Sequence, residues 1–345
     1  MFGTSRTAYL FKPLVALVLV AAVALGADDS PPAAKKVTYT GDPVPAAALA
    51  KVIKQQTGID VDVSSVDASK RVRANFNNVP FWTAVETLAE QTGSQVLTSG
   101  GRVALKPLKP GPGSPSHVNG PFRFAVRETN ARGDLQAGTT TYDLKLDVCW
   151  EPRLNTYRID SVPKITTAKD DTGKTVSVAA GGARTFTSGN VAELSVRPIG
   201  LTRESKKLTL SGSVTITMAD ELLTFTFDAA KPGGALAQKG VRVTVVKFGS
   251  DGADWFAEVE LRYPPGGATW ESDEYYWARN NEMRLLPPSG DPIKADRTDF
   301  GEGTIRYIFK NRATQVGAGW KFDYRTPGPM REVVVPFELK EIPLP

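Results

Sequence analysis

The densest concentration of groups able to bind or transform a ligand lies between Thr269 and Arg284, TWESDEYYWARNNEMR. There Glu271, Asp273 and Glu274 stand beside Trp270, Tyr275, Tyr276 and Trp277. Flat aromatic faces can stack on sugar rings while carboxylates accept hydrogen bonds from the hydroxyls, and two acids alone suffice for glycoside hydrolysis. Strand alternation offers a plainer account, with alternate aromatics packed inward and the acids turned to water. The segment therefore stands as a candidate contact for a polysaccharide or a partner, not as a catalytic centre.

Other reactive types are scarce. His117 is the sole histidine and sits in a stretch crowded with proline and glycine. A general base needs a rigid scaffold within hydrogen-bond reach of its target, so triads and multi-histidine zinc sites are not expected. Cys149 is the one cysteine, which rules out a disulfide within the chain. It falls in the strand-like run Thr141 to Trp150, where a small buried thiol is the natural reading. Asp170-Asp171-Thr172-Gly173 lacks the spaced acids of a calcium loop and reads as a turn. None of the Gly-Gly pairs joins a strand to a helix as a phosphate cradle must. No catalytic residue, cofactor site or metal site is expected, and the chain is not read as an enzyme.

Charge narrows the partners. The chain carries 42 basic and 37 acidic residues, a net charge of +5, with no basic cluster interleaved with aromatics. Nucleic acid is therefore excluded as a partner. At the start, Arg6 and Lys12 precede the apolar run Leu14 to Leu25, and small residues Ala24, Gly26 and Ala27 follow. This order predicts a secretory signal over 1–27. The run is too short to span a bilayer, and no later stretch is long and apolar enough. The expected product is an exported chain, periplasmic or at the cell surface, whose mature form does not cross the membrane.

The positioning elements follow. Residues 28–36 form a polar leader, and 107–121 (PLKPGPGSPSHVNGP) read as a Pro/Gly linker. Between them, 37–106 contain an internal repeat. Val44-Pro45 leads through a helical pattern to Gln56-Thr57-Gly58, and Val79-Pro80 leads through another to Gln91-Thr92-Gly93. Proline at each helix start and glycine at each end fit the known asymmetry of helix termini. With flanking strands the order is β-α-β-β-α-β, an α+β head with two helices on a small sheet. Beyond the linker, short alternating strands predict two antiparallel β-sandwich domains, 122–230 and 231–345. Ala219-Asp220-Glu221 reads as a hairpin turn between Leu208–Met218 and Leu222–Phe227.

The unit Val79 to Gly93, preceded by Val72-Arg73-Ala74-Asn75-Phe76-Asn77-Asn78, resembles the short N-terminal domains of secretins and TonB-dependent receptors. The resemblance covers 37–106 and implies a periplasmic domain that contacts envelope proteins or copies of itself. The rest is similar to exported proteins from bacteria such as the planctomycetes, a likeness that implies no activity. The expectation is a non-enzymatic envelope protein that docks an envelope partner through its head, its β domains serving as spacer or second surface. Two alternatives stand beside it: a carbohydrate-binding protein or weak glycosidase using Trp270 to Trp277, and a self-assembling structural component.

Overall fold

The two Val-Pro to Gln-Thr-Gly units fold alike, for reasons visible residue by residue. In the computed structural model, which describes residues 30–345 except 110–112, 137–138, 161, 180–183, 188, 203, 232, 265–280 and 302, they form helices α1 (Ala46–Thr57) and α2 (Phe81–Thr92). Pro45 and Pro80 hold the N-cap positions, where a missing amide hydrogen costs nothing. Gly58 (φ 76°) and Gly93 (φ 66°) end the helices in the left-handed region. Helical spacing puts Leu49, Ala50 and Ile53 of α1, and Val85, Leu88 and Ala89 of α2, on buried faces.

Between and around the helices run β1 (Lys36–Thr40), β2 (Asn75–Pro80), β3 (Ser94–Ser99) and β4 (Arg102–Pro107). They divide into small pieces instead of one sheet. β1 pairs β2, Val44–Pro45 pairs Arg71–Val72, and β4 lies between β3 and the short parallel strand Val61–Asp62. Proline cannot donate to a ladder, and Pro45 and Pro80 each end one here.

A first sandwich is built from β5 (Ser116–Asn119), β6 (Phe122–Asp134), β7 (Thr139–Trp150), β8 (Asn155–Asp160), β9 (Lys164–Asp170), β10 (Val191–Val196) and β11 (Lys207–Ala219). One sheet runs β10-β7-β6-β5, and in the other β8 and β9 share one side of β11. The alternation in β11 buries Leu208, Leu210, Val214, Ile216 and Met218. A second sandwich comprises β12 (Leu222–Asp228), β13 (Gly234–Gln238), β14 (Val241–Asp251), β15 (Asp254–Arg262), β16 (Glu282–Leu286), β17 (Arg297–Phe300), β18 (Ile305–Phe309) and β19 (Lys321–Pro327). Trp255 sits at its centre, with ring centroids 5.7 Å from Phe309 and 5.8 Å from Phe322.

The last strand, β20 (Met330–Pro343), does not join the second sandwich. It pairs β11 along its length, from Ala219↔Met330 to Lys207↔Pro343, and delivers Val333, Val335, Phe337, Leu339 and Ile342 to the first core. Phe337 stacks on Phe124 of β6 at 4.8 Å. The chain thus leaves the first sandwich at residue 219, builds the second, and returns at 330. This regroups the strands relative to the sequence boundaries 122–230 and 231–345. Asp220-Glu221 is consequently no hairpin turn, because β12 pairs β19 and not β11.

Two ladders meet at this crossing. β11/β20 ends at Ala219↔Met330, and β12/β19 begins at Leu222↔Pro327. Only Asp220-Glu221 and Gly328-Pro329 interrupt the ribbon. The Arg331 guanidinium bonds Asp220 at 3.1 and 3.2 Å, and the Gly328 amide donates to the Glu221 carbonyl at 3.0 Å. Tyr157, Ala219 and Met330 from the first unit are buried in the second core. The two sandwiches form one β rod with a shared spine.

Candidate docking surface of the head

The head is seated on the outer face of the sheet β10-β7-β6-β5. The indole Nε1–H of Trp82 on α2 donates to the Pro121 carbonyl at 2.9 Å, with the ring wholly buried. Glu86, one turn later, pairs with Arg123 of β6 at 2.9 Å and also accepts from the Ser116 hydroxyl. Opposite them, the Gly101 amide donates to Asn190 Oδ1 at 3.2 Å. Gly189 lies against this turn, where an added Cβ would make ordinary contact 3.4 Å from the Gly101 nitrogen, and it is its φ of 93° that favours glycine. The leader joins in, since the Lys35 amide donates to the fully buried Glu151 at 2.8 Å and Arg153 closes on the same carboxylate at 2.6 Å. Burial pushes the Glu151 carboxyl up, and the charges of Arg153 and Lys35 hold the rise in check.

Cys149 lies inside this interface. It is counted with the head's core although it belongs to β7, and its Sγ is 3.0 Å from the Thr98 hydroxyl. Burial pushes the thiol up, against the pull of Arg123 and Thr98, which is the opposite of an activated nucleophile.

The linker differs from its sequence reading. Ser116–Asn119 is an edge strand paired with Phe122–Ala125 across the turn at Gly120 (φ 57°) and Pro121. Ser-His-Val-Asn contains no proline, so all four amides are free to bond. His117 is therefore pinned: its Nδ1 accepts the Glu338 backbone N–H at 2.6 Å. The aspartate turn is as expected. Asp170 accepts from the Thr172 and Lys174 amides and the Thr172 and Ser205 hydroxyls, at 2.6 to 3.0 Å. The Thr172 hydroxyl, first among these, holds the carboxyl below its usual range. With four donors on one carboxylate, this turn is internally satisfied.

Trp270, Glu271, Asp273, Glu274, Tyr275, Tyr276 and Trp277 lie outside the described residues. The two ends of that stretch are anchored in the second core. The Tyr263 hydroxyl donates to the Pro327 carbonyl at 3.1 Å, and Asn281 Nδ2 donates to the Tyr324 hydroxyl at 2.7 Å. Burial pushes Tyr324 up to about 12.

What the seated head leaves open is a groove of about 1130 Å³. It runs between the C-terminal end of α1, the strand Val61–Asp62, and the Pro152–Arg153 turn. Lys35, Arg102, Arg153, Asp60 and Asp62 are among the residues that line it, so charges of both signs border the groove. Among the described residues Val61–Asp62 pairs only with β4, which leaves its far edge without a strand partner. A smaller cleft of about 560 Å³ lies between α2 and β6, where burial pushes Asp147 up against the pull of Arg127. Sequence reasoning did not find either, because each is made by surfaces that only the folded chain brings together. Among the described residues no group of three or more His, Cys, Asp or Glu could hold a metal ion, and no helix is long and apolar enough to cross a membrane.

No family model matches the chain, and no curated protein matches it either. A solved structure of manganese lipoxygenase of Gaeumannomyces graminis with part of zonadhesin of Komagataella pastoris aligns with 63% of this chain and 93% of that one. The identity is 8% and the TM-score 0.14, a likeness too loose to carry any argument.

Proposed function

We propose that the chain is an exported, non-enzymatic envelope protein that docks a protein partner through its α+β head, with the β rod as a stiff spacer. The observation that carries the reading is the groove beside the unpaired edge of Val61–Asp62, on a head joined to the rod by the buried indole of Trp82, the part-buried Glu86–Arg123 pair and the Lys35–Glu151 bond. A free strand edge supplies backbone hydrogen bonds to an extended segment, and mixed charges along the rim give that segment a direction. The charged, apolar and small-residue order of residues 1–27 supports export.

Deleting the head is a poor test, because it would bare the Cys149 face of the rod. A photo-crosslinking residue at Ser64, on the groove's rim, is the better probe, with the same residue at exposed Thr167 on β9 as control. In cross-linked envelope preparations, Ser64 is expected to give a defined adduct and Thr167 none. No adduct at Ser64, or the same adduct at both, would remove docking by the head from the account.

A further inference from the structure

β20 is the outer strand of its sheet: β11 pairs one side, and among the described residues no strand pairs the other. Such an edge invites adventitious strand addition. Two side chains of β5 close it. His117 Nδ1 accepts the Glu338 N–H at 2.6 Å, and Asn119 Nδ2 donates to the Pro336 carbonyl at 2.9 Å. The imidazole can accept at Nδ1 only while that nitrogen is unprotonated; imidazolium would set a donor against a donor. We propose that His117 is an acid-released latch: protonating its ring breaks the bond to Glu338, parts β5 from β20 and bares the edge of the C-terminal strand.

The charged groups facing the ring come from two elements. Glu338 and Lys340 lie on β20, and Glu86 on α2, where Arg123 of β6 pairs with its carboxylate. Burial disfavours the imidazolium most. The two carboxylates oppose that effect and Lys340 adds to it, leaving the ring's affinity for a proton below its ordinary value of 6.5. A group depressed in this way contributes its full stability above 6.5 and loses it as pH falls through its folded value. The same Glu86 accepts from Ser116, so opening at β5 also loosens one of the head's attachments. The inference stands whether or not the head docks a partner.

The chain contains one histidine, so an untagged full-length sample shows one imidazole in an NMR titration. The expected midpoint lies below 6.5. The Glu338 amide, corrected for intrinsic exchange, should lose roughly tenfold protection between about pH 7.5 and about pH 5. His117→Gln, whose side-chain oxygen can accept the same bond without titrating, should keep its protection. A midpoint at or above the ordinary value, retained protection at low pH in the wild type, or an equal loss in the Gln variant would overturn the latch.

Discussion

Gln56 and Gln91 give the head's repeat its physical sense. The Gln56 side-chain amide accepts from the Thr38 N–H and donates to the Thr38 carbonyl, both at 2.8 Å. Gln91 clamps Arg73 in the same two-way manner. The threonines that follow bond back one turn, Thr57 to Ile53 and Thr92 to Leu88, and the glycines turn the chain out. In each Gln-Thr-Gly, then, the glutamine holds a strand, the threonine satisfies the last turn and the glycine ends the helix. Because the clamps are largely solvent-exposed, each replacement by Ala should cost about 1 kcal/mol in urea unfolding, from two bonds near the low end of their range. Gln→Glu should lose the donating half while keeping the accepting half. Unchanged midpoints for both Ala variants would show that the repeat has some other basis. At this scale the sequence shows the spacing and the helix ends directly, since proline and glycine act locally. The clamping role was hidden, because it depends on which strand lies beside each helix.

Among the elements, β20 departs furthest from its sequence assignment. Its alternation, Val333, Val335, Phe337, Leu339, was plain, yet alternation says which face is buried and not which neighbour is paired. Several strands in the rod, β11, β12 and β19 among them, carry a similar pattern, so partners more than a hundred residues apart cannot be read from it. The consequence is testable by truncation. A chain ending at residue 329 lacks Val333, Val335, Phe337, Leu339 and Ile342, all buried. At about 1.5–3 kcal/mol each, their loss rivals the roughly 5–15 kcal/mol total stability of a domain. Such a chain is expected to lose the cooperative unfolding of the first sandwich, which far-UV circular dichroism during heating would record. A truncated chain melting like the full one would place β20 outside the core. The linker shows the complementary lesson. Its composition marked it as a tether, but the four proline-free residues at its end had amides to spare and a sheet edge within reach.

For the molecule as a whole, the repeat and the strand alternation foretold a small α+β head before a large antiparallel β region, and that is the architecture. They could not foretell the ribbon shared by the two sandwiches or the seat of the head, where Trp82, Glu86, Cys149 and Glu151 meet partners distant in sequence; both are expected to resist bending. The groove beside Val61–Asp62 has meaning as a docking site only if that seat holds, because a swinging head would present it in no fixed direction. Nitroxide labels at Lys51 on α1 and Thr167 on β9, both exposed, test this directly, with buried Cys149 left in place. Pulsed dipolar spectroscopy on the labelled chain should return one narrow distance distribution. A broad or multi-peaked distribution would mean that the head moves on the rod, and would contradict the account of a fixed docking surface.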